Sequence, residues 1–324
     1  MTRLLKPPSV SPRAGISVIA SASFAQPERV ERGLEALRAL GFVTHLGQHA
    51  LERGPLFFAG TPGQRLADLN AAFADESTSA IMCLRGGYGS NYLLGGLDLE
   101  LIRKHPKPFF AYSDLTGIQL RLLDELGLPA FHGPMVASDF YLEDGVHLAS
   151  FHAALAGELY SVGPAEGLRV LKSGPMHSVA RGVLYGGCLS ILVSLLGTPF
   201  EPRTEGKLLF LEDTGAKPYQ IDRMLWQLRQ AGKLDGVSGI VFGEMLDCSS
   251  PEASPDLLEE VILRAFDDFD GPIAIGLRSG HVSRSNVTLT FGVEAELSAA
   301  NAPELRLLEP AVTKQGLREQ VCVG

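Results

Sequence analysis

Phe109-Phe110-Ala111-Tyr112-Ser113-Asp114-Leu115-Thr116-Gly117 is the stretch on which the reading of the fold turns. An apolar run ends abruptly in a hydroxyl and a carboxylate before helix-like sequence resumes, which reads as a buried strand, a sharp turn carrying Ser113, and a helix. A serine on such a turn stands clear of both elements, with the first amides of the helix free to stabilise an anion beside it. Taken alone the signal is weak, because a serine at a strand end more often caps a helix than attacks a substrate.

Working outward, the same alternation repeats. Gly15 to Ala20 reads as a buried first strand, Glu28 to Leu40 as an amphipathic helix closed by Gly41, Phe42 to Leu46 as a second strand and Gln64 to Asp75 as a second helix. Ser79 to Leu84 is a third strand, running into Arg85-Gly86-Gly87-Tyr88-Gly89-Ser90. Alternating strands and helices point to a parallel sheet covered on both faces, with ligands at the carboxyl ends of its strands. Both the glycine-rich turn and Ser113 fall at such ends.

From about Asp139 to Ser178 the pattern weakens under several glycines and prolines, so the expected division is an N-terminal α/β domain over 1–155, a linker over 156–178 and a C-terminal domain over 179–324. The second half offers strands at Val183–Gly187, Lys207–Leu211, Gly239–Phe242 and Ile273–Ile275, with helices at Leu189–Leu196, Gln220–Gln230 and Leu257–Phe266. Its tail, Val287 to Phe291 and Leu305 to Leu308, reads as antiparallel sheet. The fold class is α/β: a parallel-sheet N-terminal domain with a smaller, β-rich α/β C-terminal domain.

Composition narrows the function. Of 324 residues, 45% are hydrophobic and 20% charged, enough apolar material for two cores in a soluble protein. Lys and Arg number 28 against 37 Asp and Glu, a net charge of −9 with no basic run, so nucleic acid is not an expected partner. Gly182 to Phe200 carries no charge, but its glycines and proline argue for a buried glycine-led helix and against a membrane span. No secretory signal is read in Met1 to Pro12, and Cys83, Cys188, Cys248 and Cys322 have no paired spacing; a cytoplasmic setting is expected.

Gly86-Gly87-Tyr88-Gly89 fails as a phosphate cradle, since no Lys-Ser/Thr follows and the third glycine of a dinucleotide fingerprint is missing. It fits an oxyanion donor or a plain tight turn. A nucleophilic serine needs a base and the base an orienting acid. His281, in a glycine-flanked loop after an apolar strand, is the most suggestive base, with His132 in Phe131-His132-Gly133-Pro134 as its competitor. Glu212 and Asp213 end a wholly apolar strand, a costly place for an unpaired carboxylate. The histidines are dispersed and the cysteines unpaired, so no metal and no cofactor is expected.

Several blocks in order then resemble one family: Ile81 to Ser90, Lys107 to Asp114, Phe131 to Met135, Leu209 to Asp213, Tyr219 to Leu225, and Gly280-His281. From Gly15 to about Val293 the chain is similar to the LD-carboxypeptidases, serine peptidases of murein recycling that include the microcin-immunity enzymes. The resemblance implies a Ser-Glu-His triad of Ser113, Glu212 and His281, an oxyanion hole from the amides of Gly87 and Asp114, and a homodimer. It implies hydrolysis of the amide between an L-centre and a terminal D-amino acid in murein tetrapeptides. Cleavage of peptidyl or aminoacyl adenylates, and a non-catalytic peptide-binding protein on the same scaffold, are the alternatives. Arg85 is the candidate cation for the substrate carboxylate, against a plain structural ion pair. The chain departs from the family's usual residues at Ala111, Cys188 and Ala216, the last removing a rival acid often found there.

Overall fold

The computed structural model describes residues 4–174, 178–249, 254, 256–300 and 302–314. Cys322 and Pro175 lie outside the described residues, as do residues 1–3. The first half runs β1 (Gly15–Ile19), α1 (Pro27–Ala39), β2 (Val43–Leu46), α2 (Pro62–Ala74), β3 (Ala80–Cys83), α3 (Leu99–Lys104), β4 (Phe109–Ala111), α4 (Thr116–Leu126), β5 (Ala130–His132) and α5 (Leu148–Ala156). The second runs β6 (Ser161–Val162), β7 (Arg169–Lys172), β8 (Val179–Cys188), α6 (Leu189–Ser194), β9 (Lys207–Glu212), α7 (Pro218–Gln230), β10 (Gly239–Gly243), α8 (Leu257–Ala265), β11 (Ile273–Leu277), β12 (Leu289–Phe291), β13 (Glu294–Ser298) and β14 (Glu304–Leu307).

The chain is a mixed α/β protein with two sheets. The first has the order β12-β5-β4-β3-β1-β2, and β1 to β5 pair in parallel throughout. Its inner strands are buried on both faces, while β2 at the edge stays partly exposed; side chains alternate, so that Met82 and Phe110 enter one core with Val30, Leu34 and Phe151 of α1 and α5. Ile81, Cys83 and Phe109 enter the other, with Leu69 and Phe73 of α2 and Ile118 and Leu122 of α4. Helix α2 starts on a capping box, Thr61 accepting from the Gln64 amide while the Gln64 side chain accepts from the Thr61 amide.

The second sheet has the order β6-β14-β13-β8-β9-β10-β11-β7, with a parallel centre of β8, β9, β10 and β11 and antiparallel flanks. Two of its strands, β6 and β7, fall within 156–178, the segment read from sequence as a linker; the glycines and prolines there separate short edge strands. The uncharged stretch 182–200 divides into the end of β8, which runs to Cys188, the helix α6 that follows the glycine pair, and a turn over 195–200. No helix among the described residues is long and apolar enough to cross a membrane.

The tail does not form one antiparallel unit. β14 pairs with β13 and β6 in the second sheet, but β12 leaves that sheet and pairs antiparallel with β5, Leu289 opposite His132 and Phe291 opposite Ala130. The loop 278–288 is thus strung between the two sheets, with β11 at one end and β12 at the other.

Candidate active site

Tyr112 is extended, at φ −156° and ψ −169°, and the next residue, Ser113, turns into the left-handed region at φ 65°. A non-glycine residue there costs on the order of 1–3 kcal/mol, strain that the surrounding packing must hold. Packing does so from one side through Gly86: a Cβ built there would lie 2.8 Å from Ser113 Cβ and 2.9 Å from its Oγ, so only glycine lets this turn lie against the serine. The same point lies 3.5 Å from the Asp114 amide nitrogen.

The two turns are tied together. The Asp114 carboxylate accepts the Ser90 amide at 2.8 Å, and the Ser90 hydroxyl donates to the Asp114 carbonyl at 2.5 Å. Burial pushes the Asp114 carboxyl up, against its bonds from Ser90. Gly87 has φ 108°, and the Ser23 hydroxyl accepts the following amide, Tyr88, at 3.1 Å. Arg65, 1% exposed, lies underneath and donates from Nη1 to the carbonyls of Gly89 at 2.8 Å and Ser21 at 3.2 Å.

Glu212 ends β9, and His281 follows β11 by four residues; both stand at carboxyl ends of parallel strands of the second sheet, as sequence reading expected. His281 Nδ1 is 2.7 Å from Glu212 Oε2, and the same oxygen accepts the His281 backbone amide at 3.1 Å. Gly280 makes this approach possible, with φ 90° and a would-be Cβ only 2.7 Å from the Glu212 carboxyl carbon. Glu212 is fully buried; burial disfavours its charge, but the neighbouring His281 outweighs that and holds the carboxyl below its ordinary range. Burial likewise opposes an imidazolium at His281, yet Glu212, with Asp213 and Asp139 beyond it, raises the pKa above that of an ordinary imidazole.

The structure separates the two neighbouring acids. Asp213 faces the start of α6, accepting the Ser190 amide at 2.8 Å and the Thr214 amide at 2.8 Å. That is an anchor for a helix N-terminus. It also separates the two histidines. His132 is sealed by the rings of Tyr112, Phe210 and Phe291, and burial lowers its pKa to about 4. The His281 ring stands edge-on to Tyr112, the residue before Ser113, at 5.2 Å between centroids. The Glu212–His281 pair from the second half thereby meets the serine turn from the first.

Arg85 is partly buried and donates to the Phe24 carbonyl at 3.4 Å; among the described residues it forms no ion pair. Cys83, Cys188 and Cys248 are buried free thiols. Sequence reading missed Tyr112, Asp139 and Asn286, which are joined by hydrogen bonds behind the site. Asp139 carries a signal in hindsight, a carboxylate set among Val136, Ala137 and Phe140; Asn286 carries none.

Comparison with known proteins identifies the family. The LD-carboxypeptidase N-terminal domain matches residues 16–133 and its C-terminal domain matches residues 181–297. The chain belongs to the LD-carboxypeptidase family. As a member it is a hydrolase, a serine-type carboxypeptidase. It is 37% identical to the probable murein peptide carboxypeptidase of Bacillus subtilis, over 97% of both chains. Among solved structures it is similar to the muramoyltetrapeptide carboxypeptidase of Oxalobacter formigenes, with a TM-score of 0.81 and 28% identity over 93% of this chain and all of that one. The MccF-like protein of Bacillus anthracis is similar with a TM-score of 0.84 and 26% identity, over 94% of this LD-carboxypeptidase and 99% of its own chain.

Proposed function

We propose that this LD-carboxypeptidase uses Ser113 as nucleophile, His281 as base and Glu212 as orienting acid to release a terminal D-amino acid from murein tetrapeptides. The observation that carries the reading is the His281–Glu212 pair at 2.7 Å, its carboxylate fully buried and its imidazole partly exposed, held beside the strained Ser113 turn. With Nδ1 engaged by Glu212, Nε2 is the nitrogen left to exchange a proton with the serine.

The Ser113 oxygen attacks the carbonyl carbon of the amide, and its proton passes to His281. The tetrahedral oxyanion is stabilised by the amides of Gly87 and Asp114, which belong to the two turns packed on each other at Gly86. His281 then protonates the departing amine, and the D-amino acid leaves an ester on Ser113. Water, deprotonated by His281, hydrolyses that ester. Arg85, free of ion pairs among the described residues, pairs with the terminal carboxylate. The resemblance carries a homodimer and a cytoplasmic setting with it, and sedimentation of the purified protein checks the dimer.

Incubation with murein tetrapeptide is expected to release D-alanine, and Ser113→Ala to abolish that release; unchanged hydrolysis in the variant contradicts the serine assignment. A second reading, hydrolysis of aminoacyl or peptidyl adenylates, has the likeness to the MccF-like protein in its favour. Cleavage of an adenylate conjugate with no release from murein tetrapeptide would replace the first reading with the second.

A further inference from the structure

A further buried carboxylate lies behind the nucleophile turn, and the acyl-transfer steps do not call on it. Asp139 sits in the helical turn Val136–Phe140 and is 5% exposed. Three donors converge on it. Oδ2 accepts the Met135 amide at 2.8 Å, and Oδ1 accepts Asn286 Nδ2 at 3.1 Å and the Tyr112 hydroxyl at 3.4 Å.

Two of those donors lead to the two sides of the site. Tyr112 precedes Ser113 and packs edge-on against the His281 ring. Asn286 lies in the loop strung between β11 and β12, with its backbone fixed to the first half: its amide donates to the Gly145 carbonyl at 2.9 Å, and its carbonyl accepts the His147 amide at 3.0 Å. Its side-chain amide grips Gly280 from both edges, Oδ1 accepting the Gly280 amide at 3.0 Å and Nδ2 donating to the Gly280 carbonyl at 3.1 Å. Gly280 is the residue before His281.

We propose that Asp139 is a positioning residue for the hydrolysis, aligning base with nucleophile by holding the Ser113 strand end through Tyr112 and the His281 loop through Asn286. This rests on the reading of Ser113, Glu212 and His281 as the triad. Those groups come from separate halves of the chain, and a misplacement of about 1 Å between reacting groups can cost a hundredfold in rate. An ionised carboxylate only accepts, which matches three converging donors; an asparagine there would bring its own N–H groups against them. The titratable groups around this cluster are Tyr112 directly after β4, His132 from β5, Glu212 at the end of β9 with Asp213 beyond it, and His281 itself. Burial pushes the Asp139 carboxyl up to about 7, against the bonds from Met135, Asn286 and Tyr112. When ionised it favours a protonated His281.

The test compares wild type, Asp139→Asn and Ser113→Ala on murein tetrapeptide, with kcat, KM, the pH profile of kcat/KM and thermal stability measured for each. For Asp139→Asn, kcat should fall roughly tenfold to a hundredfold with KM within about threefold. The acid limb of kcat/KM should also move to lower pH, because the neutral amide no longer favours the imidazolium. Wild-type kcat and an unmoved limb in Asp139→Asn overturn the proposal. So does a loss of activity that only follows the unfolded fraction, with the limb unmoved. Should Asp139→Asn not fold, Asn286→Ser removes the same link from its other end, and wild-type kcat there is equally contrary. Undiminished hydrolysis in Ser113→Ala would instead refute the triad, so the two failures are told apart.

Discussion

At the scale of single residues, His281 is held under opposing pressures: burial disfavours its charge, while Glu212 at 2.7 Å favours it, and the pair wins. A base must be neutral to act, so the acid limb of kcat/KM is expected above 6.5, the ordinary imidazole value. Glu212→Gln should lower kcat on the order of a thousandfold or more and bring that limb down, because the tautomer and the favouring charge are lost together. A limb unmoved in this variant would contradict the pairing. At His132 burial outweighs the favourable pull of the Glu212 carboxylate, and the pKa drops from 6.5 to about 4. The folded protein therefore resists a proton that the unfolded chain accepts, so this residue removes stability as pH falls from 6.5 towards 4, and nothing further below that. The loss is about 3 kcal/mol. Urea unfolding of wild type and His132→Leu across that range should show a shallower pH dependence in the variant.

At the scale of elements, the site is made where strands end. The turn after β3 and the turn after β4 are packed so closely that Gly86 has no room for a methyl group. Gly86→Ala must push Ser113 or the Gly87 amide aside, and kcat is expected to fall about a hundredfold while the fold survives, as circular dichroism and kcat together would check. These turns were legible in sequence because each follows a short apolar run and begins with small or polar residues. Glu212 was legible for the same reason, as a carboxylate ending an apolar strand, although the strand pattern alone did not separate it from Asp213, one residue on, and the family resemblance was needed to choose it. β12 was read as strand but assigned to the wrong company, since its partner, β5, lies more than a hundred residues upstream and nothing local marks that pairing. Asn286 shows the same blindness: its value comes from touching Asp139 and Gly280, and no pattern of neighbours announces it.

At the scale of the whole molecule, the two sheets share one structural commitment. The loop carrying His281 leaves the second sheet at β11 and is anchored in the first by β12. Phe291 of β12, Phe131 of β5 and Phe210 of β9 belong to one core that spans both sheets. Amides of β4 and β9 are therefore expected to lose hydrogen-exchange protection at the same urea concentration; loss at clearly different concentrations would show two independent units. Composition and alternation announced two α/β halves, and the family motifs announced which residues to watch, but the crossing that joins the halves is non-local and was invisible. The most direct test of the Ser113 mechanism is rapid-quench mass spectrometry during turnover of murein tetrapeptide. The expected result is a peptide containing Ser113 that carries the acyl portion of the substrate, gained as D-alanine is released. Turnover with no adduct on Ser113, or with the adduct on another residue, would contradict it.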